Sequence, residues 1–85
     1  MVMTEDEIYR CLAEIVAEVA DIPASSVTHE ADIADDLGVS SLLMVEIIIS
    51  AEDKFSVEIP DDALKDLRTV RDVVSYVQRA KVTAT

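Results

Sequence analysis

The sequence predicts an all-α fold of three long helices and one short one, with the short helix third in order. Three observations lead there. Apolar residues recur at three- and four-residue steps in three segments, each preceded by residues that cap helix N-termini. One Gly and two Pro in 85 residues are too few breakers to cut these segments into short pieces. Apolar-polar alternation is confined to short runs such as 55–59, too few to build a sheet, so no strand is expected.

The first helix opens at Thr4-Glu5-Asp6-Glu7, a capping-box pattern whose acids complement the positive end of the helix dipole. Ile8, Leu12, Ile15 and Val19 then follow at steps of four, three and four, which places them on one face of a helix ending near Ala20. Pro23, Ser25, Ser26 and Thr28 mark a break. Residues 21–39 read as an ordered, exposed connection that Val27 and Ile33 pin to the core, and its length is itself a functional signal.

The second helix is expected from Ser41 to Phe55, with Ser40 as N-cap and Gly38 giving the chain freedom to approach it. At about 100° per residue, Met44, Ile47, Ile48, Ala51 and Phe55 share an acid-free arc and form the predicted core stripe. Leu42, Val45 and Ile49 fall on roughly the opposite side among Glu46 and Asp53. So small a domain does not bury both stripes. An apolar strip with an acidic rim has the make-up of a protein-docking surface.

Pro60 followed by Asp61, Asp62, Ala63 and Leu64 predicts a single helical turn before Leu67. Thr69 and Asp72 repeat the capping spacing, and Val70, Val73, Val74 and Val77 form the buried face of the last helix. Arg79 and Lys81 close it with the sign its C-terminus prefers. Residues 1–3 and 81–85 are expected to fray. The whole chain, 1–85, reads as one domain, expected as a monomer, and its ends fit a free-standing protein or a domain cut from a larger synthase alike.

Seven Lys and Arg against eighteen Asp and Glu give a net charge of −11, beyond the roughly 2–8 usual for a small domain. This sign repels nucleic-acid phosphates and anionic lipids and favours basic protein surfaces. Residues 11–53 contain ten acids and no Lys or Arg; the remainder holds eight acids and seven bases. With 51% hydrophobic residues the chain is no disordered acidic tail.

Autonomous catalysis is not expected, because a chain this short encloses no large active site and His29 is its single histidine. Asp32, Asp35 and Asp36 miss the spacing of a calcium loop, with Leu37 where Gly belongs and Leu43 where the closing Glu belongs. No metal site is expected. Cys11, alone in an apolar segment, fits a reduced cytoplasmic setting, and no segment has the ~20 apolar residues of a membrane span.

The most informative segment is Asp35-Asp36-Leu37-Gly38-Val39-Ser40-Ser41-Leu42. It places a serine hydroxyl at the first position of a helix, where the dipole and unsatisfied N–H groups favour a phosphate. From these residues alone, a plain helix cap and a modified serine both stay open.

This segment, continued by Leu43-Met44-Val45-Glu46-Ile47-Ile48 and later by Glu52-Asp53-Lys54-Phe55-Ser56-Val57-Glu58-Ile59-Pro60-Asp61, resembles the acyl carrier proteins of bacterial type II fatty-acid and polyketide synthesis. Met44-Val45-Glu46 is most similar to actinobacterial members. The resemblance implies a four-helix bundle with a short third helix. It also implies a non-catalytic carrier whose 4′-phosphopantetheine arm, attached to Ser41, holds acyl groups as thioesters. By the same resemblance Glu46, Glu52 and Asp53 would meet basic patches on a phosphopantetheinyl transferase and on acyl-processing enzymes such as ketosynthase, acyltransferase and reductases. Leu42, Val45 and Ile49 would lie beside the arm.

Two positions depart from the family pattern. Ser40 replaces the usual Asp before the modified serine, which makes Ser40 a second candidate for attachment; Leu43 replaces an acid and makes the docking face more apolar. The alternatives to an acyl carrier are an aminoacyl or peptidyl carrier and an unmodified acidic interaction module.

Overall fold

In a computed structural model describing residues 3–83, the chain forms α1 (Glu5–Ala20), α2 (Ser41–Phe55), α3 (Asp61–Leu64) and α4 (Val70–Thr83), with a short 3₁₀ turn at Ala24–Ser26. The architecture is all-helical, as the sequence predicts, and its one β-type pairing among the described residues is an isolated bridge between Asp32 and Thr69. α1 packs against both α2 and α4. The expectations for Met1, Val2, Ala84 and Thr85 lie outside the described residues.

The N-terminus of α1 forms as its sequence dictates. The Thr4 hydroxyl accepts from the Glu7 N–H at 3.2 Å, and the Glu7 carboxylate accepts from the Thr4 N–H at 3.0 Å. That backbone hydrogen bond holds the Glu7 carboxyl below its ordinary value. The buried face is Ile8, Leu12, Ala13 and Val16, whereas Ile15 and Val19 are only half-buried. The predicted stripe is therefore rotated toward Ala13 and Val16, because α1 must serve two helices rather than one. Met3 also departs from expectation and packs partly buried against the core.

The connection between α1 and α2 is more deeply anchored than its sequence suggests. Val27 and Ile33 are buried as expected, and so are Ala31, Leu37 and Val39. Its backbone is tied to the start of α4, with Ile33 N–H donating to Arg68 C=O at 2.9 Å and Val70 N–H to Ala31 C=O at 3.1 Å. The connection is exposed over most of its length, as expected, but five of its nineteen residues (Val27, Ala31, Ile33, Leu37 and Val39) are core residues rather than the two anticipated.

α2 starts at Ser41 with Ser40 as its N-cap and ends at Phe55, as predicted. Ile47, Ile48, Ala51 and Phe55 are buried, while Met44 is only half-buried. The single-turn α3 follows Pro60, and its Ala63 and Leu64 pack against the core. In α4, Val70, Val73, Val74 and Val77 are all fully buried. Lys81 does not mark a frayed end. The helix continues to Thr83, and Lys81 Nζ donates to Phe55 C=O at 2.7 Å, placing its charge at the C-terminus of α2.

Asp72 caps α4 by accepting from the N–H groups of Arg68 and Thr69, both at 3.1 Å, while the Thr69 hydroxyl accepts from Asp72 N–H. The Thr69 hydrogen bond chiefly lowers the Asp72 carboxyl from its ordinary 3.8, against a smaller opposing effect of burial. A folded-state value below the unfolded one stabilises the fold above pH 3.8, and this contribution is lost as pH falls through the lowered value. Asp72→Asn, which keeps an acceptor but removes the charge at the helix N-terminus, is expected to cost about 0.3–1 kcal/mol at neutral pH. In urea titrations from neutral to strongly acid pH, the gap between wild type and variant should close at the acid end; a constant gap would refute the capping role.

Candidate functional site

The loop that delivers Ser41 is fixed at each step. Asp32 Oδ1 accepts from the N–H groups of Ala34 (3.0 Å) and Asp35 (2.9 Å), and Asp36 Oδ2 accepts in return from Asp32 N–H at 2.8 Å. Leu37 and Val39 point into the core, and Val39 N–H donates to Ile33 C=O at 3.2 Å. Between these two anchors Gly38 takes φ +67°, the left-handed region where a Cβ is strained. The one glycine of the chain stands here, while α1 and α2 end on left-handed Asp21 and Ser56.

The two adjacent serines then have different work. Ser40 Oγ accepts from Leu43 N–H at 3.2 Å and caps the helix. Ser41, the first residue of α2, is exposed, and among the described residues nothing hydrogen-bonds its hydroxyl. It stands where the helix dipole favours an anion.

Beside it lies an open groove of about 520 Å³, walled by Val39, Met44, Val45, Leu64 and Leu67 and bordered by Ser40, Ser41 and Arg68. This explains why Met44 is not fully buried. It also reveals a residue the sequence reading did not place at the site. Arg68, just before α4, is brought to the groove by the Asp32–Thr69 bridge, and no local spacing links it to Ser41.

The expected apolar strip is present on α2. Leu42 is 73% exposed, Val45 45% and Ile49 58%, with Glu46 and Asp53 exposed on the same helix. Glu52 departs from this group. It is half-buried, and its Oε2 accepts from Ile59 N–H at 2.8 Å, bracing the connection toward α3. A backbone partner seven residues on, beyond the end of α2, accounts for the difference.

His29 stacks on Tyr9, with ring centroids 4.0 Å apart, and is not among the residues bordering the Ser41 groove. No group of three or more His, Cys, Asp or Glu among the described residues is arranged to hold a metal ion. No helix of the described residues is long and apolar enough to cross a membrane.

The site thus presents an exposed serine hydroxyl at a helix start, beside a groove with an apolar wall and a guanidinium. Residues 11–77 match the family described as "Phosphopantetheine attachment site", which defines a carrier domain of the phosphopantetheine-bearing class. The chain is 56% identical over 79 residues to the acyl carrier protein of Thermobifida fusca, covering 93% of this chain and 100% of that protein. It is 52% identical over 79 residues to the meromycolate extension acyl carrier protein of Mycolicibacterium smegmatis, covering 93% and 80%. Its fold is similar to that of the acyl carrier protein from Enterococcus faecalis, with TM-score 0.77, 33% identity and coverage of 92% and 99%. The chain belongs to the acyl carrier protein family. It is a carrier rather than a catalyst, and 4′-phosphopantetheine is its cofactor.

Proposed function

We propose that Ser41 is the attachment residue and that a separate phosphopantetheinyl transferase loads it from coenzyme A. The supporting observation is the division of labour between the serines: Ser40 caps α2, and the Ser41 hydroxyl is exposed and unbonded. In the loading step Ser41 Oγ attacks the pyrophosphate phosphorus next to pantetheine. A new P–O bond forms, the P–O bond to the adenosine bisphosphate breaks, and the serine proton passes to a base of the transferase. The bound arm supplies a thiol that carries acyl groups as thioesters between the enzymes of fatty-acid or polyketide synthesis. Incubation with coenzyme A and a transferase should add the mass of phosphopantetheine to the chain, and no gain with several transferases would refute the reading.

Leu42, Val45 and Ile49, rimmed by Glu46 and Asp53, form the proposed address for partners with basic patches. Desolvating an apolar centre within a charged rim supplies affinity and orientation together. Glu52 contributes by holding the end of α2 in place. A monomer working in the cytoplasm suits this role. Ile49→Asp and Glu46→Lys are each expected to raise the transferase KM for the carrier roughly ten-fold, with little change in melting temperature because both sites are exposed. An unchanged KM in both variants would remove this face from the proposal.

A further inference from the structure

We propose that Arg68 holds the modified arm against the domain: once Ser41 is loaded, the guanidinium leaves Asp32 and binds the phosphodiester oxygens. This inference rests on Ser41 being the attachment residue.

Four observations carry it. First, Arg68 borders the same groove as Ser40 and Ser41 and is the one cation among the residues lining it. Second, its root is fixed and its head is exposed. The Arg68 N–H donates to Asp72 Oδ2 at 3.1 Å and its C=O accepts from Ile33 N–H at 2.9 Å, yet the side chain is 76% exposed. Third, its contact with Asp32 is weak. The separation of 3.8 Å exceeds the roughly 2.7–2.9 Å of a charge-assisted hydrogen bond, and so exposed a pair costs little to break. Asp32 does not depend on that contact, because its other oxygen is fixed by Ala34 and Asp35 N–H.

The fourth observation is electrostatic. Loading Ser41 adds a negative charge to a stretch, residues 11–53, that contains ten acids and no Lys or Arg. Asp32 and Asp35 border the groove itself. An anion there needs a cation from another part of the chain, and the Asp32–Thr69 bridge places Arg68 at that border. The planar fork of arginine matches two phosphate oxygens, as an ammonium does not. With the phosphate held, Val39, Met44, Leu64 and Leu67 would offer an apolar wall to the rest of the arm. Arg68 is thus a positioning residue that keeps the arm near the domain between visits to partners.

The test uses the full chain in apo and loaded forms, as wild type, Arg68→Gln and Arg68→Lys. Mass spectrometry first establishes loading; failure of every form to load would refute the Ser41 reading and leave Arg68 aside. With loading established, the Arg68 Nε–H resonance of the wild type should shift between apo and loaded protein. The phosphorus resonance of the arm should differ between wild type and Arg68→Gln, with Arg68→Lys between them, and the differences should shrink as salt is added. An Nε–H resonance unmoved by loading, with one phosphorus shift shared by all three proteins, would overturn the proposal. The wild-type comparison needs no variant to fold.

Discussion

Ser41→Ala is expected to abolish the mass gained from coenzyme A and a phosphopantetheinyl transferase, while Ser40→Ala keeps it and lowers the melting temperature. The two residues are neighbours of identical chemistry, so composition does not separate them. What separates them is a hydrogen bond. Ser40 has extended backbone angles and turns its hydroxyl back to Leu43 N–H, so its loss removes an N-cap at a cost of about 1 kcal/mol. Ser41 is already helical, and its exposed hydroxyl leaves the helix end unchanged when deleted. Intact-mass spectrometry and thermal melts on the two variants read both outcomes. Modification surviving Ser41→Ala and vanishing in Ser40→Ala would reverse the assignment.

Phe55→Ala is expected to destabilise the fold by about 3–5 kcal/mol, the usual cost of emptying a buried aromatic site. Phe55 is 1% exposed and is the largest of the fully buried side chains. It closes α2, and its carbonyl receives Lys81 from α4, so the cavity opens where two helix ends meet. A domain of this length has roughly 4–13 kcal/mol of total stability. The substitution therefore removes a large share of it. Ile49→Ala on the same helix deletes an exposed side chain and should change the unfolding free energy from urea titration by about 0.5 kcal/mol or less. Equal midpoints for the two variants would contradict the burial assigned to each face of α2.

The helices were legible because their signals are local. Thr4 and Glu7 sit three residues apart and meet in one turn, as do Thr69 and Asp72. The valines of α4 recur at helical spacing and are all buried. The exposed strip of Leu42, Val45 and Ile49 followed from the same geometry, since a helix with two apolar faces in so small a domain buries one of them. Errors arose where a residue's neighbour came from elsewhere in the chain. Ile15 and Val19 lost the centre of the α1 stripe to Ala13 and Val16 because α1 packs on two helices. Lys81, read as the start of a frayed tail, is held by a carbonyl 26 residues away.

The sequence by itself determined the helices, their caps, the segment that carries Ser41 and the acid-rich stretch around it. These depend on contacts within about one helical turn or on simple sums of charge, both of which can be read along a chain. Only the tertiary structure decided that residues 21–39 are anchored in the core, that Glu52 braces the loop at Ile59, and that Arg68 borders the groove at Ser41. Each of these rests on a contact between residues seven or more positions apart that do not share a helix. Spacing specifies which face of an element a residue occupies, but the packing of the elements specifies what that face meets.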